Sequence, residues 1–348
     1  MLRQLAKTAL YRLAAWEPLL GPVRKRKLGG KTLVLMYHEL AEDSNDVEAW
    51  TVVKRGDFVR QMDYLRSKFD IVSLSQAIVQ MAQPDSSDRP KAVVTFDDGN
   101  RGNRDVLLPV VEELDLPVTI FVATRQVQDQ ELYWFDRLLN ALQIEAPVTV
   151  TLPAPSPVTY VINETRGERN WARIQQLLSS LKKLEPAERE LVVDDIVKSM
   201  ERYTRRSRGV APLAVRDIKE LADCPRVTIG AHSHCHNILT QLDRRAVLES
   251  ATHSKKLLES WTGRRVSYFA YPNGDFNDTV ISAVAQAGFE AAVTNAPRPW
   301  ERGENPLTLP RIGVGRYDSL DVFKVTLMGG IGRFLKLDTP DAPERARV

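Results

Sequence analysis

The stretch Ala92–Gly102, AVVTFDDGNRG, constrains the fold most. Ala92-Val93-Val94 opens an apolar run rich in β-branched residues, Thr95 and Phe96 continue it, and it stops at Asp97-Asp98-Gly99. The apolar half reads as a central strand of a parallel sheet or barrel. The Asp-Asp-Gly half then lies at the strand's C-terminal end, where α/β folds place their chemistry. Two adjacent carboxylates repel, so a metal or a basic group must compensate them. Taken alone, an Asp-Asp-Gly triplet is also what a solvated turn looks like.

A second stretch, Val227–Leu239 (VTIGAHSHCHNIL), carries three of the chain's five histidines, His232, His234 and His236. His232 and His236 stand four positions apart, and on a helical turn such positions share a face, so both imidazoles would reach one ion. Two histidines and an aspartate make a site for zinc or a similar divalent metal, with room left for water. Cys235 reads as a small buried neighbour of this cluster, and with Cys224 it completes a total of two cysteines, which argues against a disulfide framework.

TFDDG, then HSHCH at His232–His236, then FAYPNG at Phe269–Gly274 resemble, in type and order, the motifs of the polysaccharide deacetylase, or NodB-homology, family of carbohydrate esterases. LVLMYHEL at 33–40, LPVTIFVA after the first motif, AGFEAAVTN at 287–295 and LPRIGV at 309–314 extend the resemblance over residues 30–320. It implies an α/β fold, a distorted (β/α) barrel, and metal-dependent removal of N-acetyl groups from amino sugars. By the same resemblance Asp97 is the general base, and Asp98, His232 and His236 hold the metal, zinc with cobalt or nickel as alternatives. The backbone N–H of Asn273 supports the oxyanion, and Tyr271, Pro272 and Gly274 belong to substrate binding.

Two departures stand out. The family's third motif begins with an arginine that orients the base, and here that position is Ala270. The motifs that supply an Asp-Trp pair and a late general-acid histidine are missing, and no histidine follows His253. Members with a Tyr-His pair on the first strand share these losses. Arg311, in LPRIGV, is the candidate to replace the arginine. His38, ending the Thr32–Tyr37 strand on the face that holds Asp97 and Asp98, is the candidate acid, with a nearby carboxylate expected to raise its pKa. A lone histidine there is otherwise a structural one.

The 348 residues suffice for one large α/β domain or two small ones, and a net charge of +3 gives no argument for nucleic acid. The segment 1–31 has apolar residues at helical spacing with Arg3, Lys7 and Arg12 among them, and Arg24-Lys25-Arg26-Lys27 follows a Gly-Pro break. No segment is long enough to span a membrane, and Arg12 and Glu17 interrupt any secretory apolar core. The expected location is cytoplasmic. The N-terminus is read either as a basic amphipathic helix on the anionic inner membrane face or as a helix packed on the barrel.

The barrel is expected from 32–128 and 217–337, with a helix over 321–337 broken at Gly329-Gly330 and a frayed tail over 338–348. Residues 129–216 read as a largely helical insertion that sets substrate choice. It opens with Tyr133-Trp134-Phe135, either a sugar platform or core packing. The substrate expected is an N-acetylated amino sugar of an exopolysaccharide, a glycan intermediate or a glycolipid. The alternatives are a sugar O-acetyl esterase, an inactive carbohydrate-binding subunit of a glycan assembly complex, and a phosphatase with a strand-end aspartate nucleophile, which the paired histidines and FAYPNG do not fit.

Overall fold

A computed structural model of the chain describes residues 2–47, 49–82, 89–152, 157–163, 167–204 and 209–329. Eight strands form one parallel sheet curled into a half-barrel: β1 Thr32–Tyr37, β2 Asp70–Ile71, β3 Lys91–Phe96, β4 Val118–Val122, β5 Val227–Ala231, β6 Tyr268–Ala270, β7 Ala291–Val293 and β8 Ile312–Gly313. The order across the sheet is β7-β6-β5-β4-β3-β1-β8, with β2 beside β3. The near-continuous apolar runs of β1, β3 and β4 follow from burial on both faces. Leu33, Leu35, Tyr37, Val94 and Phe96 pack outward under the helices, while Val34, Val93, Phe121 and Val293 fill the concave side.

Register assembles the site. Tyr37 lies opposite Phe96 and Phe96 opposite Ile120, Ala231 is level with Val122, and Phe269 with Ala231. The residues that follow these strand ends, His38, Asp97-Asp98, His232 and the turn after β6, therefore emerge on one rim. Asp98 has φ +73°, a left-handed conformation that aspartate tolerates, and Gly99 follows at +84°. A Cβ on Gly99 would stand 2.9 Å from Val122 Cγ1, so the chain turns there only with glycine.

A second core stands over this rim. Trp134–Ala141, Glu168–Leu181 and Pro186–Met200 are helices, and Val148–Thr151 pairs with Thr159–Ile162 in an antiparallel hairpin. Their apolar faces close on one another and on Val47, Ala49 and Val52 of the segment after β1.

Three expectations change. The helix read over Asn103–Leu114 begins as a π turn, Asn103–Leu107, and becomes α-helical only over Leu108–Glu113. The last helix runs over Leu320–Leu327, and the expected continuation beyond 329, with the 338–348 tail, lies outside the described residues. The N-terminal segment forms two helices, Leu2–Ala14 and Glu17–Leu28. Leu20 and Leu28 are buried in the main core, Arg24 donates to Glu17 and to the Tyr64 hydroxyl (3.1 Å), and Lys27 Nζ donates to the Met328 carbonyl (3.0 Å). Leu13, Trp16 and Leu19 stay at least half exposed. Among the described residues no helix is long and apolar enough to cross a membrane.

Candidate active site and metal centre

Asp97, Asp98, His232 and His236 meet in a cleft of about 840 Å³, solvent mouth included, with His38 and Asn273 in its wall. Asp97 follows β3 and points into the half-barrel. Its two oxygens accept from Arg311, Oδ1 from Nη1 at 2.7 Å and Oδ2 from Nη2 at 2.6 Å. Arg311 is fully buried, and it also donates to the Thr294 carbonyl, Thr95 Oγ1 and Asn295 Oδ1. Burial works to raise the Asp97 pKa, but the Arg311 guanidinium outweighs it and holds the carboxyl below its ordinary range.

Asp98 Oδ1 lies 3.5 Å from His232 Nε2 and 3.2 Å from His236 Nε2. The three candidate ligand atoms fall within 4.8 Å of one another. The His232 Nδ1 is 2.8 Å from the Ala270 carbonyl, which fixes the proton on Nδ1 and turns Nε2 toward Asp98. His236 packs its ring against Phe135 (4.8 Å) and Tyr133 (5.4 Å). Burial opposes the charge on Asp98, and hydrogen bonds from the two imidazoles more than compensate, leaving its pKa well below the usual value. One carboxylate oxygen and two oriented imidazole nitrogens at this spacing are a donor set suited to a divalent ion with open positions.

The histidines converge by a different geometry from the helical turn expected. Residues 232–238 are an irregular loop in which Ser233 (φ +64°) and His236 (φ +51°) are left-handed, and Ser233 Oγ accepts from the His236 N–H at 3.1 Å. His234 turns away, to Thr124 Oγ1 (2.9 Å) and the His253 ring (4.5 Å).

His38 is buried at the end of β1, with Nδ1 lacking a hydrogen-bond partner. Its pKa is lowered, against expectation, because burial exceeds the upward pull of Asp98 and Asp97. The residues that line the cleft do not include Tyr271, Pro272 or Gly274. Tyr271 is fully buried, packs on Phe269 and Phe276, and donates its hydroxyl to the Leu307 carbonyl at 2.9 Å. Pro272 is buried, and Gly274 (φ +73°) presses on Asn295. These residues shape the turn that brings Asn273, itself at φ +61°, to the cleft wall.

The sequence reading missed Lys182, Arg189, Trp171 and Asn295, all of which line the cleft. Trp134 and Phe135 of the aromatic trio also line it while packing into the second core, so both readings of the trio apply.

The family model for polysaccharide deacetylases matches residues 85–292. The chain belongs to the polysaccharide deacetylase family. The deacetylase is thus a hydrolase of carbon–nitrogen bonds other than peptide bonds. The Streptococcus pyogenes deacetylase PplD, solved with acetate, is 16% identical with TM-score 0.57, over 85% of this chain and 98% of PplD. IcaB from Ammonifex degensii is 19% identical with TM-score 0.56, over 86% and 97%. A de-N-acetylase from Aggregatibacter actinomycetemcomitans is 12% identical with TM-score 0.52, over 81% and 94%. At these identities the likeness is one of fold. No curated protein matches the chain.

The role of Tyr271 has a direct test. Tyr271→Phe removes one buried hydrogen bond, so chemical denaturation should report a loss of about 1 kcal/mol. KM for an N-acetylated sugar should not change, and a tenfold rise would return Tyr271 to the substrate.

Proposed function

We propose that the deacetylase removes N-acetyl groups from amino sugars of a polysaccharide, a glycan intermediate or a glycolipid, using a divalent ion, zinc by its donor set, on Asp98, His232 and His236. The observation that carries this reading is the convergence of those three donors beside an aspartate held by a buried arginine, in one cleft. An ion bound there supplies Lewis acidity, making water a better nucleophile and drawing charge from the acetyl carbonyl.

The chain's own groups do the rest. Asp97, kept ionised and aligned by Arg311, takes the proton of the attacking water. The Asn273 backbone at the cleft wall supports charge developing on the carbonyl oxygen. His38 protonates the departing amine. Its depressed pKa makes the charged form a ready donor.

Acetate release from a chitin oligomer, with and without chelator, tests the chemistry. Asp97→Asn should retain the ion yet lose a factor of about 10²–10⁴ in rate. His236→Ala should lose ion and activity together, while His234→Ala keeps both. Stoichiometric metal in His236→Ala, or a near wild-type rate in Asp97→Asn, would remove that residue from its role.

His38→Ala should retain metal and fold but lose most of kcat on the N-acetyl substrate. An activated aryl acetate, whose leaving group needs no proton, should be hurt far less. Equal losses on the two substrates would make His38 an orienting group.

The N-terminal helices suit a peripheral seat on an anionic bilayer. Leu13, Trp16 and Leu19 expose apolar surface close in sequence to the exposed cations Arg12, Lys25 and Arg26. Deleting residues 1–27 should abolish sedimentation with anionic vesicles at low salt. An intact chain that ignores such vesicles would leave the segment as packing alone.

A further inference from the structure

The roof of the cleft carries two cations for which the chemistry above has no use. Arg189, on the Pro186–Met200 helix, is 2% exposed and lines the same cleft as Asp97, Asp98 and the two histidines. Its guanidinium carbon stands 5.0 Å from the centroid of the Trp134 ring, a contact that orients the plane and offers no lone pair. Its Nε and Nη1 are buried without any hydrogen-bond partner. The acids nearest in sequence do not satisfy it: Glu190 pairs with Arg137, and Glu185 acts only through its field. Leaving two guanidinium donors unmade in a buried site is expensive, and arginine does not escape by losing its proton.

Lys182 ends the neighbouring helix and donates to Asn273 Oδ1 at 2.7 Å, spanning the cleft from roof to floor. Burial pushes its pKa down to about 8, Asp275 and Asp98 pull it up, and the charge of Arg189 pushes it further down. The two cations therefore act on one space. Among the described residues the carboxylates lining that space are Asp97 and Asp98, and each is already engaged, by Arg311 and by the histidine pair. An acceptor for the two unpartnered nitrogens of Arg189 has to arrive with the ligand.

We propose that Arg189 and Lys182 form an anion subsite, and that the amino sugar this deacetylase accepts carries a phosphate or a carboxylate. The proposal rests on the deacetylase reading and names the substrate class of that same site. A guanidinium fork beside an ammonium matches the two oxygens that either group presents. Trp134 and Trp171 give the roof the apolar surface on which a sugar ring stacks.

The test uses the full chain loaded with zinc and three sugars: methyl N-acetylglucosaminide, N-acetylglucosamine 1-phosphate, and the N-acetylated hexosaminuronate. The wild type should bind one charged sugar about tenfold or more tighter than the neutral one, and which one identifies the anion. Arg189→Gln should close that gap to within about twofold. If Arg189→Gln does not fold, Arg189→Lys is read in its place and should shrink the gap several-fold, because it keeps the charge and loses the fork. Equal affinities for all three sugars in the wild type overturn the subsite, as does a gap that survives in the variant read. Acetate release from all three sugars is followed separately. A chain that binds charged sugars through Arg189 but releases no acetate would thus fail the deacetylase reading while keeping the subsite.

Discussion

The Arg311–Asp97 pair is the constraint on which the site depends. A bidentate ion pair with no exposure on the arginine sits inside the half-barrel, where desolvating two charges costs several kcal/mol per ion. The cost is met by complete satisfaction. Arg311 reaches both oxygens of Asp97, the hydroxyl of Thr95, the carbonyl of Thr294 and the amide oxygen of Asn295. Those partners belong to β3 and to the segment after β7, while Arg311 itself precedes β8. One side chain thus ties together three strand ends that lie far apart in sequence. It also leaves Asp97 ionised and fixed in direction, the two properties a base needs before it meets a substrate.

Strand register does the same work on a larger scale. Because Tyr37, Phe96 and Ile120 are level, and Ala231 is level with Val122, each strand delivers its next residue to the same rim. The departures from ordinary backbone cluster there. Asp98, Gly99, Ser233, His236, Asn273 and Gly274 all have positive φ. Each is a place where the chain leaves a strand and turns a group into the cleft instead of continuing over the sheet. Backbone strain of this kind persists only where surrounding structure imposes it, and the parallel sheet below supplies that support.

This explains what was legible in the sequence. Strand β1 and the end of β3 could be read because apolar runs and a sudden pair of carboxylates are local signals. Arg311 could be anticipated because an arginine absent at Ala270 left a gap that another had to fill. The histidine geometry was misread because spacing of four suggests a helical turn, and nothing local announces that Ser233 and His236 are left-handed. Tyr271 reads as a site residue from its motif, whereas its side chain is buried in the core, which no local signal announces. His38 was placed correctly in space and given the wrong sign of pKa shift, since burial cannot be weighed against two carboxylates without coordinates. Lys182 and Arg189 carried no signal at all. On amphipathic, highly charged helices they read as part of a solvated face.

The second core turns that blind spot into a functional argument. Its helices close on Val47, Ala49 and Val52, in the segment that follows His38 at the end of β1. Phe135, at the start of its first helix, packs against His236, and Lys182 at the end of its second holds the side chain of Asn273. The roof therefore touches a candidate metal ligand and the candidate oxyanion turn, and its loop attachment begins beside the candidate acid. A segment built only to shield the barrel would not need charged groups aimed inward, because apolar side chains of similar volume would pack at lower cost. Buried Arg189, with two guanidinium nitrogens lacking a partner, suits a place where a group of opposite charge completes it, and it lines the cleft that holds the candidate catalytic residues. On the proposed reading, specificity resides in the roof and chemistry in the rim, which the roof touches at His236 and Asn273.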